Sequence, residues 1–201
     1  RPMEVMQKTL QVIRKADPEF KVSLAGNFHK ELEADIYDYC IPIGASYPAE
    51  VLARRAQNNL PTTYYTCCTE AFPNTFTFSD PAEAAWMSYY SAKDHLDGYL
   101  RWAYNSWPKE PLLDSRFEAW AGGDTYLVYP GARSSIRFEK LIEGVQAHEK
   151  ITILRKEFTD KKNKTGFKKL EKMLSTFNLR DFPEVPAAET VNKANKILNS
   201  L

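Results

Sequence analysis

The sequence has few of the residues that build metal centres and disulfide frameworks. Its 3 cysteines, Cys40 and the adjacent Cys67 and Cys68, are odd in number and lack zinc-type spacing, so buried free thiols are expected. The 3 histidines, His29, His95 and His148, are scattered, with no metal-ligand cluster around them. His148 falls in a helical apolar stripe, where a histidine satisfied by its packing neighbours is expected. There is no phosphate-cradling glycine loop and no nucleophile elbow, and no cofactor is expected. No run approaches the ~20 consecutive apolar residues of a membrane helix, which excludes a helical span. The 27 basic and 26 acidic residues leave a net charge of +1, so neither nucleic acid nor an anionic membrane surface is an expected partner. The chain starts at Arg1 rather than Met, without a signal-peptide pattern, and a processed or cut product is expected.

What the sequence does have is aromatic residues: 11 Tyr, 11 Phe and 4 Trp. Aromatic rings bury large areas in cores, so only those at strand ends or in loops suggest function. Periodicity then sorts the chain. Met3, Met6, Leu10 and Ile13 predict a helix over 2–16, stopped by Asp17-Pro18. Residues 21–25 (KVSLA) and 39–43 (YCIPI) predict strands, with a short helix between them, although Pro42 removes a ladder donor from the second. Ser46 is the expected cap of a helix carrying Val51, Leu52, Ala56 and Leu60. Residues 62–68 (TTYYTCC) predict a third strand, and Asp80 the cap of a helix running to Leu96. The fourth strand is expected over 99–105 (YLRWAYN). A long loop over 107–133 holds TYLVY at 125–129, which predicts an extra strand or hairpin. Ser134 or Ser135 caps a long helix, and a last helix spans about 187–201. Between 155 and 172 lie 8 basic and 3 acidic residues, expected as a solvated surface because no aromatics interleave them.

Strands alternating with helices predict βα units on a parallel sheet, and four such units correspond to half of an eightfold barrel. In that architecture the working groups sit at strand C-termini and in the loops after them. The candidates there are aromatic and amide-rich: Tyr65, Trp102, Tyr104, Asn105 and Trp107, with Asp124 after two glycines. Flat rings stack on the apolar faces of sugars while amides, acids and phenols bond the hydroxyls, so carbohydrate is the expected ligand. Alternation places Leu100, Trp102 and Tyr104 on one face of the fourth strand and Arg101, Ala103 and Asn105 on the other, and Trp102 is expected inward. The acids Glu70, Asp94, Asp97, Asp114, Glu118 and Asp124 form no pair at a strand end of the kind a two-carboxylate glycosidase needs.

Three strings in order, DGYLRWAYNSW (97–107), GGDTYLVYPG (122–131) and SSIRFEKLIEGV (134–145), resemble the C-terminal half of the catalytic domain of glycoside hydrolase family 123 and related bacterial domains. The resemblance implies an α/β fold, the C-terminal half of a (β/α)8 TIM-type barrel over 1–158, with a helical extension over 159–201. It implies retaining, substrate-assisted hydrolysis of β-linked N-acetylhexosamine, specifically N-acetyl-β-galactosaminide, in which the substrate's acetamido oxygen attacks the anomeric carbon. The Asp-Glu pair that would assist is expected just upstream of Arg1, and no adjacent Asp and Glu occur in the sequence. The chain alone is therefore expected to be inactive. Its implied partners are a glycan substrate and the N-terminal half of its own barrel, and its implied location is periplasmic or secreted. The alternative is a non-catalytic carbohydrate-binding or structural module.

Overall fold

The computed structural model describes residues 3–181 and 184–201. The expected start of the first helix at Pro2 lies outside the described residues. Among the described residues four strands and six α-helices of two or more turns make a mixed α/β protein, which divides into two compact units, residues 1–65 and 66–201.

In the first unit α1 (Met3–Ala16) carries Glu4 in its first turn and Arg14 and Lys15 in its last, the order that complements the helix dipole. Asp17 turns the chain out of the helix by accepting the Glu19 N–H at 2.9 Å. The strands β1 (Ser23–Ala25), β2 (Asp38–Pro42) and β3 (Thr62–Thr66) run parallel, with Leu24 beside Tyr39 and Ile41 beside Tyr64. Pro42 is tolerated because it ends β2, where only the next residue, Ile43, needs to donate, to Tyr65 O at 2.9 Å. Helix α2 (Ala49–Gln57) starts directly after Pro48 with no side-chain cap, so the expected Ser46 cap is not formed. Proline's fixed φ organises the first turn instead. Arg55 on α2 is fully buried, donating to the carbonyls of Ile36, Tyr37 and Pro61 and pairing with Glu33 at 3.3 Å.

The second unit holds α3 (Ala82–Lys93), β4 (Gly98–Arg101), α4 (Ile136–Asp160), α5 (Lys164–Leu174) and α6 (Ala187–Leu198). Helix α3 is buried from Ala82 to Ala92, which explains its small and aromatic composition. Asp80 helps start it, accepting the Ala82 N–H at 2.9 Å. Helix α4 packs closely on α3 because Gly144 has no side chain: a Cβ there would lie 2.9 Å from Ala85 Cα and 2.6 Å from Ser88 Oγ. Ser135 caps α4 by accepting the Phe138 N–H. The basic stretch is a solvated surface laced with ion pairs, Lys156 to Asp160, Lys161 to Glu157 and Arg155 to Glu171.

The fourth strand is shorter than its alternation predicts. It ends at Arg101, and the following backbone turns to pair with a distant segment: Asn105 bridges Tyr126 in antiparallel sense, Leu127 N–H donates to Tyr104 O at 2.8 Å, and Ser106 N–H to Thr125 O at 3.0 Å. The expected strand over 125–129 is thus a set of isolated bridges.

Candidate functional site

The second unit positions its exposed aromatic side chains from a buried polar centre. Gly122 and Gly123 bring the chain close beneath the loop at 74–77: a Cβ at Gly122 would meet the Ser115 and Thr77 hydroxyls at 2.8 Å, and Gly123 has φ +77°. Asp124 follows, with 0% of its surface exposed. Its Oδ1 accepts from Arg101 Nη2 at 3.0 Å and from the Trp102 indole Nε1–H at 3.2 Å, and its carbonyl accepts from the same guanidinium. Arg101 also reaches Asn74 Oδ1 at 3.3 Å. The Asn74 amide is oriented by donating to Cys67 O at 2.8 Å and Glu70 O at 2.7 Å, and its N–H donates to Glu83 Oε2 at 2.8 Å. Burial pushes the Glu83 carboxyl above its ordinary range although the Asn74 and Asp80 N–H groups donate to it. Beside this centre Arg137 is buried, donating to Thr75 O and to Gly123 O at 2.9 Å and lying over the Tyr126 ring at 5.5 Å. Burial depresses its pKa.

Trp102, the first residue past β4, is 44% exposed and makes a tilted pair with Trp120, 39% exposed, at 5.4 Å between centroids and 49° between planes. Tyr104 is exposed and meets Phe138 edge-on at 5.8 Å. Trp107 is exposed and donates its indole N–H to Val128 O at 2.7 Å. Asn105 is exposed at the bridge to Tyr126. Three expected residues, Tyr104, Asn105 and Trp107, are therefore held by the 126–128 segment, and Trp102 by Asp124 just before it. Tyr65 belongs to the first unit, partly exposed on β3 beside a buried Tyr64.

Three expectations change. Arg101, placed by alternation on the face opposite Trp102, buries its side chain to 4% exposure and pairs with Asp124, a role the sequence did not indicate. Asp124 does not present its carboxylate at the surface as a ligand for sugar hydroxyls; burial directs it to Arg101 and Trp102. Of the three free cysteines only Cys40 is buried; Cys68 is exposed and Cys67 partly so, since both lie past the end of β3. Sequence reasoning missed Arg101, whose partners Asn74 and Asp124 lie 27 and 23 positions away.

Three of the other candidate acids, Glu70, Asp94 and Asp114, have local partners. Burial raises the Glu70 carboxyl, but the Cys67 N–H at 2.6 Å and the Thr69 hydroxyl at 2.8 Å outweigh it and hold it below its ordinary range. Asp114, on the surface, is held at about 2 by Arg116. Asp94 pairs with Lys93 at 2.5 Å. His148 shares a hydrogen bond with Leu96 O at 3.0 Å. Among the described residues no group of His, Cys, Asp and Glu is arranged to hold a metal ion, and no helix is long and apolar enough to cross a membrane.

Comparison with known proteins gives one family and one fold. Residues 1–154 match the family described as glycoside hydrolase 123, catalytic domain. A solved structure of a family 123 glycoside hydrolase from Clostridium perfringens, described in terms of glycolipid glycan hydrolysis, superposes with a TM-score of 0.77 at 24% identity. That match covers 99% of this chain and 39% of the other, so the chain spans about two fifths of that relative's length. No curated protein matches the sequence.

Proposed function

Because the chain belongs to the family of glycoside hydrolase 123 catalytic domains, we propose that it is the sugar-contacting C-terminal half of a (β/α)8 glycoside hydrolase barrel. The observation that carries this reading is the exposed Trp102–Trp120 pair at the end of β4, with the Trp102 ring tied to a buried carboxylate. Surface tryptophans lose contact area to water, and a site for the apolar face of a pyranose is a physical reason to keep two of them together. Tyr104, Asn105 and Trp107 extend the same wall within the second unit.

The proposed chemistry is the one that the resemblance to the family implies. The substrate is a β-linked N-acetylhexosaminide, and its own acetamido oxygen displaces the leaving group from the anomeric carbon with retention, one of the exceptions to the scheme of two enzymic carboxylates. An Asp that orients the acetamide and a Glu that protonates the leaving oxygen are required, and the 201 residues contain no such adjacent pair. We assign both acids to a part of the protein outside this chain. The first unit supplies a surface that suits such a part: β1 borders a groove of about 610 Å³ lined by Met6, Leu10, Ile13, Leu24 and Leu32.

The test is hydrolysis of an aryl N-acetyl-β-galactosaminide by the intact protein that contains this chain. Trp102→Ala should lower kcat/KM by roughly thirtyfold, the loss of one stacking platform of 1–3 kcal/mol. Inactivity of the intact, folded protein on all hexosaminides would remove the assignment. Glycan binding without turnover would favour the non-catalytic module instead, a reading that the missing acid pair also supports.

A further inference from the structure

The buried carboxylate beneath the aromatic face is not explained by stability alone. A buried ion pair stabilises only when geometry is good and the remaining polar atoms are satisfied. Here Asp124 Oδ2 and Arg101 Nε are both buried and find no protein partner among the described residues. Yet Oδ1 is used twice, by Arg101 and by the indole of Trp102. The chain of contacts behind it is continuous. Glu83 on α3 holds the Asn74 backbone, Asn74 is oriented by two carbonyls and faces Arg101, Arg101 holds Asp124, and Asp124 holds the indole. Each group has its rotamer set by the one before it, so the ring of a half-exposed tryptophan is referred to the most buried helix of the unit.

We propose that Asp124 is a positioning residue for substrate: by accepting the Trp102 Nε1–H it fixes the tilt of the Trp102–Trp120 face before a sugar arrives. An exposed tryptophan free to change rotamer would have to be ordered by the ligand, and that ordering weakens binding. The proposal rests on the sugar-wall reading above. It adds that the affinity of the wall is set by a residue that never touches sugar.

Two substitutions at Asp124 separate positioning from structure, read in the intact protein. Asp124→Leu and Asp124→Asn both leave Arg101 without a carboxylate and should lower Tm, Asp124→Leu the more, because the asparagine keeps an acceptor oxygen for the guanidinium and the indole. Asp124→Leu should raise KM roughly tenfold with kcat within about twofold, the equivalent of one hydrogen bond to a charged group, while Asp124→Asn stays within about twofold of the parent in KM. The indole N–H resonance of Trp102, identified by its loss in Trp102→Phe, should move in Asp124→Leu and hold its place in Asp124→Asn. Equal KM changes in both variants would overturn the proposal, as would an unmoved resonance in Asp124→Leu. Should Asp124→Leu fail to fold, Trp102→Phe removes the same N–H with the ion pair intact and should reproduce the KM rise at unchanged Tm; an unchanged KM would reject the idea. The resonance is read without sugar, so if Trp102→Ala proves neutral in turnover the wall reading falls while the role of Asp124 is still decided.

Discussion

Trp86 and Trp102 lie in the same unit and have the same side chain, but their surroundings give them opposite work. Trp86 on α3 is 3% exposed, stacked on Tyr90 at 5.6 Å and tilted against Phe177. Next to it Tyr89 stacks on Phe177 at 4.5 Å and 6°. Every ring of that group is buried. Trp102 is 44% exposed, with Trp120 on one side and a single polar anchor at Asp124. The difference shows what distinguishes a packing aromatic from a presenting one: the first is held by area, the second by a hydrogen bond that leaves area free.

The largest effect should come from breaking the packed group. Trp86→Ala should cost about 3–5 kcal/mol of unfolding free energy by denaturant titration, while Trp102→Ala should cost under about 1 kcal/mol and act on turnover. Similar stability losses for the two would dissolve the contrast. Next, Gly144→Ala should destabilise by about 2 kcal/mol, because the new methyl meets the α3 backbone at Ala85. A neutral result would mean that α4 can move away from α3. The smallest effect is alkaline. Burial pushes the Tyr89 phenol up to about 12 from 10.0. A pKa raised on folding contributes stability fully present below pH 10 and lost as pH rises toward 12, so the Tyr89 share of stability should fall by about 1 kcal/mol by pH 11. Tyr89→Phe should flatten that part of the Tm profile, at the cost of the hydrogen bond from Tyr89 to Asn195.

Much of the helical framework was legible because its signals are local. The 3.6-residue period of Met3, Met6, Leu10 and Ile13, the stop at Asp17-Pro18, and the Ser135 cap of α4 are read within one or two turns of chain. The fourth strand was read too long, since alternation from Tyr99 to Asn105 is continuous in sequence and the break at Arg101 is imposed from outside. Ser46 failed as a cap because Pro48 already provided the helical start. In the site, Trp102, Tyr104, Asn105 and Trp107 were picked as candidates by their position in and just past the expected fourth strand, and the structure holds Tyr104, Asn105 and Trp107 against the 126–128 segment. The role of Arg101 was not legible, because its partners Asn74 and Asp124 lie 27 and 23 positions away and nothing local marks them.

The amino-acid sequence determined the order of βα units, the caps and stops of the helices, the aromatic wealth after β4 and the family to which the chain belongs. Each depends on neighbours in the chain or on short ordered strings. The tertiary structure alone decided which face of β4 is buried, that Asp124 works beneath the surface, and that Trp102 is anchored and not loose. Those outcomes turn on one contact, Arg101 to Asp124 across 23 positions of sequence, and a buried charge takes the side on which its counter-charge lies, whatever the alternation of the strand.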